Sequence, residues 1–123
     1  MLLSLVAAAG CSTGDGGTAC TANFAYVDAA IVDAGNQTVV ASWVVTDTVL
    51  RSGRAFAISQ IGTPEGYATI FTDNNLGEVT PVGDSVRVTG AGGGKAFSAT
   101  YRFGSAGGCH VQRIAGPDTI VAR

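Results

Sequence analysis

Charge is what this sequence has least of. Only 13% of its 123 residues are Asp, Glu, Lys or Arg, about half the usual share. The seven cationic residues stand singly, never adjacent, and the net charge is −2. This excludes the basic stripe that a nucleic-acid-binding surface needs. Histidine occurs once, at His110, and lysine once, at Lys95. With a single His and no Cys pair at ligand spacing, a zinc site is excluded. No G-x-S-x-G or S-x-x-K sequence is present, so the common serine-nucleophile motifs are excluded too. Aromatic residues make up 7%, too few to suggest a stacking platform for sugars or bases. Past residue 10 no apolar run is long enough to span a membrane.

What is present is a chain of strand formers. Its length predicts one domain, and 46% of it is hydrophobic. Residues 95–103 alternate cleanly: Phe97, Ala99, Tyr101 and Phe103 share one face, Ser98, Thr100 and Arg102 the other. Residues 85–89 repeat the pattern, with Val86 and Val88 inward and Arg87 and Thr89 outward. The glycine-rich stretch 90–94 between them predicts a hairpin loop. Residues 36–52 are free of Gly and Pro, but eight of these 17 are Val or Thr, which favours a strand over a helix. That strand is placed at about 38–46, with Val39, Ala41, Trp43 and Val45 on one face. Further strands are expected at 23–33, 54–61, 66–72, 109–114 and 118–122, separated by turn residues. If Cys109 and Val111 point inward, Ile114 needs a bulge or a change of sheet to follow them. About eight short strands at this spacing predict an all-β domain, a small antiparallel β-sandwich.

Several stretches invite a chemical reading and do not support it. Gly90-Ala91-Gly92-Gly93-Gly94-Lys95 lacks the first Gly of a phosphate-binding loop, since Thr89 stands there, and Ala96 follows where Ser or Thr is required. Asp73, Asn75 and Glu78 offer oxygen ligands, but Leu76-Gly77-Glu78 breaks the calcium-loop pattern, and a surface turn is expected. Asp28 and Asp33 are too far apart on a strand to act as an acid–base pair. Trp43 reads as core. Asn36-Gln37-Thr38, though a glycosylation sequon, reads as a turn leading into a strand. His110 is expected to face solvent or a neighbouring carbonyl. No catalytic residue, cofactor or metal ligand is assigned.

The N-terminus carries the most specific signal. Residues 1–10 are uncharged and apolar, and Ala8-Ala9-Gly10 runs directly into Cys11. This resembles the lipobox of bacterial lipoproteins, in which small residues precede the Cys that takes the lipid. The resemblance implies a signal peptide over 1–10, lipidation of Cys11 and a lipid-anchored position in the cell envelope. Ala8 departs from the Leu or Val preferred there. The basic start of a signal is missing, and basic residues are expected upstream of Met1. Residues 11–19 are small and Gly-rich and read as a flexible tether, leaving 20–123 as the domain. The alternative is a short apolar strand with a buried Cys. If Cys11 carries lipid, Cys20 and Cys109 remain. A disulfide between them would close a loop of ~90 residues, worth up to roughly 4.5 kcal/mol, and an oxidising envelope permits it. Two separate buried thiols are the alternative.

Residues 31–44 resemble the first hairpin of carboxypeptidase-regulatory-like domains, through Val32, Asp33, Gly35, Val40, Ala41 and Val44. Cys109-His110-Val111 and Gly116-Pro117-Asp118 resemble the tail of small exported lipoproteins of that type. The resemblance implies a transthyretin-like sandwich, with an immunoglobulin-like one the other form considered, and a non-catalytic accessory or binding role. Tyr101-Arg102-Phe103-Gly104-Ser105 resembles the C-terminal signature of hydroxyisourate hydrolase, but Phe103 is inserted and the enzyme's further histidines are absent. The expectation is a lipid-anchored envelope domain that binds an envelope protein or a polysaccharide. A small hydrolase using His110, or a purely structural spacer, is the alternative. The oligomeric state is left open.

Overall fold

A computed structural model describes residues 23–123. Among them the protein is all-β, with eight strands in two sheets. The strands are β1 (Tyr26–Val32), β2 (Val44–Val49), β3 (Ala55–Ile58), β4 (Tyr67–Thr72), β5 (Asp84–Gly92), β6 (Lys95–Ala106), β7 (His110–Ala115) and β8 (Thr119–Val121), with a 3-10 helix at Asp73–Glu78 between β4 and β5. One sheet has the order β4-β1-β8, the other β3-β2-β5-β6-β7.

Period-two patterning decides which side chains enter the core. On β5, Val86 and Val88 are fully buried while Arg87 and Thr89 are exposed. On β6, Phe97, Tyr101 and Phe103 are buried, and Ser98, Thr100 and Arg102 are exposed. The sheets meet through aromatic rings: Phe71 of β4 stacks on Phe103 of β6 at 4.4 Å and meets Phe56 of β3 edge-on at 6.2 Å. Ile31, Ala68 and Ile120 of the smaller sheet share this core with Val45, Val49 and Val86 of the larger.

The β5–β6 hairpin is tighter than a five-residue glycine loop. Pairing continues to Gly92↔Lys95, and the turn is Gly93-Gly94 alone, both with positive φ (59° and 76°). Two central residues of that conformation match the right-handed twist of the flanking strands. Gly90 stays within the strand for a different reason: a Cβ there would stand 2.2 Å from the Phe97 ring.

Two expectations about the strands are corrected. The strand expected at 38–46 forms instead at Val44–Val49. Before it, Thr38 makes only an isolated bridge to Val32. Trp43 and Val45 point inward as expected, Val49 continues their face, and the buried residue between the two valines is Asp47. An acid at a core position ended the apolar pattern too early. The sheets are also not wholly antiparallel, because β8 runs parallel to β1, pairing Ala30↔Thr119, Ile31↔Ile120 and Val32↔Val121. After β7 the chain leaves the larger sheet at Gly116-Pro117 and joins the smaller one. Tyr101 fixes this crossover by donating its phenol to the Pro117 carbonyl at 2.6 Å. Gly116, at φ 129°, passes so close that a Cβ would lie 2.2 Å from the Tyr101 ring. A register shift occurs near Ile114, where Arg102 faces Ala115 and Phe103 faces Arg113, but it does not turn Ile114 inward: that side chain is 42% exposed.

Candidate functional site

The single histidine does not simply face solvent or a carbonyl. Asp73 opens the 3-10 helix after β4. Its Thr72 cap accepts from the Asn74 N–H at 3.2 Å and donates to Asn75 Oδ1 at 3.1 Å. This turns the Asp73 carboxylate towards β7. Oδ2 lies 2.6 Å from His110 Nδ1 and accepts the Ala25 N–H at 2.9 Å, while Oδ1 accepts the Val111 N–H at 2.7 Å. The Asp73 N–H returns a bond to the Ala25 carbonyl at 3.1 Å. Partial burial pushes this carboxyl up, but the hydrogen bonds from His110, Ala25 and Val111 outweigh it and hold Asp73 below its usual value. The expected surface turn is thus a clasp joining the start of β1 to β7. A carboxylate on Nδ1 is also how a catalytic base is oriented.

The other charged clusters hold loops. Arg51 grips Asp84 with two bonds, 2.8 and 3.1 Å, and the Thr80 N–H adds a third at 2.8 Å. The Arg51 hydrogen bond leads in drawing the Asp84 carboxyl down to about 2. Arg54 grips Glu78 in the same bidentate way. Arg113 pairs with Asp118. Asp33 accepts from the Gly35 and Gln37 N–H groups and shapes the turn after β1. Asp47 belongs to none of these clusters. It is 0% exposed, neither carboxylate oxygen has a hydrogen-bond partner among the described residues, and burial pushes its pKa up to about 8.

A cleft of about 500 Å³ opens between the segment before β2 and the loop from β3 to β4. Ser42, Trp43, Gln60, Thr63, Glu65 and Tyr67 are among its walls. The loop is held down by two devices. The Gln60 amide donates to the Thr69 carbonyl at 2.7 Å and accepts the Thr69 N–H at 2.9 Å, which satisfies the open edge of β4 as a neighbouring strand would. Thr69 gives its one hydroxyl proton to Asp28 at 2.7 Å, so Thr63 donates to Thr69, also at 2.7 Å. Tyr67 is 44% exposed at the rim. Trp43 is buried against Phe97 at 5.2 Å, and its indole N–H has no acceptor among the described residues. Trp43 is therefore core, as expected, but also a wall of the cleft.

The residues singled out by sequence are distributed unevenly. Cys11 and Cys20, the signal over 1–10 and the tether over 11–19 lie outside the described residues. Cys109 is half-buried in the turn before β7, and because both other cysteines lie outside the described residues, its expected disulfide with Cys20 is not placed. Among the described residues no group of three or more His, Cys, Asp or Glu is arranged to hold a metal. Sequence reading missed the Asp73–His110 pair, whose members are 37 positions apart, and it missed the cleft. The one signal for the cleft in the sequence is the loop Gly62-Thr63-Pro64-Glu65, among the turn residues between the strands expected at 54–61 and 66–72. No protein-family model matches the chain, and no curated protein or solved structure matches it either.

Proposed function

We propose that this chain is an exported, lipid-anchored envelope domain, non-catalytic, that binds a segment of envelope polysaccharide. In this reading residues 1–10 are the signal peptide, Cys11 carries the lipid, 11–19 are the tether, and Cys20 is the disulfide partner of Cys109. The two sheets form a sandwich of transthyretin-like or immunoglobulin-like kind. The observation that carries the reading is the cleft. It combines an aromatic ring at the rim with amide, hydroxyl and carboxylate groups, within the size range of small-ligand sites. Sugars present apolar C–H faces between hydroxyl groups, and such a mixed lining complements both. An envelope protein is the other partner class this reading admits.

The test is thermal unfolding of the full chain with peptidoglycan disaccharide fragments. Binding to the folded state raises the melting temperature, and Tyr67→Ala abolishes the rise. An equal rise in both proteins, or none in either, contradicts the reading.

The Asp73–His110 pair favours a second reading, a small envelope hydrolase. Against it, the same carboxylate is occupied by two backbone N–H groups from separate elements, which is what a structural clasp requires. Hydrolysis of an envelope ester that disappears in His110→Ala would establish the second reading, and unchanged hydrolysis would remove it.

A further inference from the structure

The outward face of the five-stranded sheet has a composition that the core does not explain. Register places Thr46, Thr89 and Ser98 side by side across β2, β5 and β6. One step along the strands, Thr48, Arg87 and Thr100 form a second row. Ala57 and Ala55 of β3 continue the two rows. Neighbouring strands lie about 4.8 Å apart, so the rows form a regular grid of short, mostly hydroxylated side chains. Thr46 and Thr48 are half-buried, and the other members of both rows are exposed. The Thr89 hydroxyl donates to the Thr46 carbonyl at 3.2 Å, which leaves its oxygen free to accept.

Charge on this face is of one sign. Arg87 lies opposite Thr100 and Ser85 opposite Arg102, so the two guanidinium groups stand on diagonal positions, about 7–8 Å apart at their backbones. Neither is in an ion pair among the described residues, whereas Arg51, Arg54 and Arg113 all are. Arg102 makes a long bond, 3.3 Å, to the Val82 carbonyl. The outward positions of the five strands carry no Asp or Glu, although the chain as a whole is acidic.

We propose that this face binds an acidic polysaccharide lengthwise, its carboxylates on Arg87 and Arg102 and its hydroxyls on the threonine and serine rows. Charge complementarity selects an anionic polymer. Two cations on a protein of net charge −2 suit sparse charge rather than the dense phosphates of nucleic acid. The rows lack the aromatic anchors around which protein interfaces are built, while hydroxyl rows complement a polyhydroxylated chain. This surface is separate from the cleft and rests on the preceding reading only for the envelope setting.

The probe is polygalacturonate, with dextran as the neutral control, measured by affinity electrophoresis of the full chain. The protein is retarded by polygalacturonate and not, on this face, by dextran, and the retardation weakens with salt. Arg87→Gln/Arg102→Gln reduces affinity about tenfold with an unchanged melting temperature. Thr89→Val, which keeps the fold's β-branched shape, reduces it as well. Tyr67→Ala leaves it intact. Unchanged binding in the double arginine variant, or no retardation by polygalacturonate, overturns the proposal. Loss through Tyr67→Ala alone assigns the polymer to the cleft, which overturns this proposal and leaves the cleft reading standing.

Discussion

Asp73 and His110, 37 positions apart in sequence, meet at 2.6 Å through Oδ2 and Nδ1. The same carboxylate also holds the backbone of Ala25 and Val111. One side chain therefore ties the start of β1 and the edge strand β7 to the 3-10 helix.

This clasp predicts unequal effects for its two members. Asp73→Ala leaves two backbone N–H groups unpaired and is expected to cost about 2–3 kcal/mol. His110→Ala removes one of three partners and costs less, about 1 kcal/mol. Urea unfolding of both variants checks the order. Equal losses would mean that the His–Asp contact, not the backbone bonds, dominates.

Asp47 predicts a stability that declines with rising pH. Its pKa is about 8 in the folded protein against an ordinary 3.8. Above about pH 4 the unfolded chain sheds this proton and the folded chain keeps it, so stability falls until about pH 8 and is flat in this group beyond. Asp47→Val fills the same position with a compact apolar side chain. It is expected to raise stability at pH 7 by about 2–4 kcal/mol and to remove most of the slope. Asp84 acts at the other end: its carboxyl is held down to about 2, so its stabilising contribution is lost as pH falls from about 4 to 2. Unfolding free energies of parent and variant at pH 5 and 8 give the comparison. A parent curve that rises over that interval would contradict the assignment.

The crossover between the sheets predicts that Gly116 tolerates no side chain. Gly116→Ala places a Cβ against the Tyr101 ring at a positive φ and is expected to cost about 2–3 kcal/mol. Tyr101→Phe keeps the ring and loses only the bond to Pro117, about 1 kcal/mol. Thermal unfolding separates the two. A Gly116→Ala protein as stable as the parent would mean that the crossover moves freely.

Where one face is buried and the other solvated, the sequence carried the strands almost to their residues. Val86, Val88, Phe97, Tyr101 and Phe103 point inward as their alternation indicates. The reading failed where a local signal was overridden. Asp47 is a polar residue at a core position, so the apolar pattern places β2 too early in the chain. Gly92 stays in its strand because no side chain fits against the Ser42 backbone, 2.6 Å from where its Cβ would be. The parallel β1–β8 pair and the Asp73–His110 clasp depend on contacts between distant segments, which periodicity does not encode. The hydroxyl rows were present as outward positions of three strands, but only register shows that they align.

We propose an exported domain, anchored at Cys11, that binds in the envelope. The most direct measurement is the intact mass of the mature protein, purified from the membranes of a bacterial host without reductant. The account predicts the mass of residues 11–123 plus a lipid adduct, two hydrogens light for a Cys20–Cys109 disulfide. The unmodified mass of the entire 123-residue chain with three free thiols would contradict it, and the anchor, the tether and the disulfide would be withdrawn together.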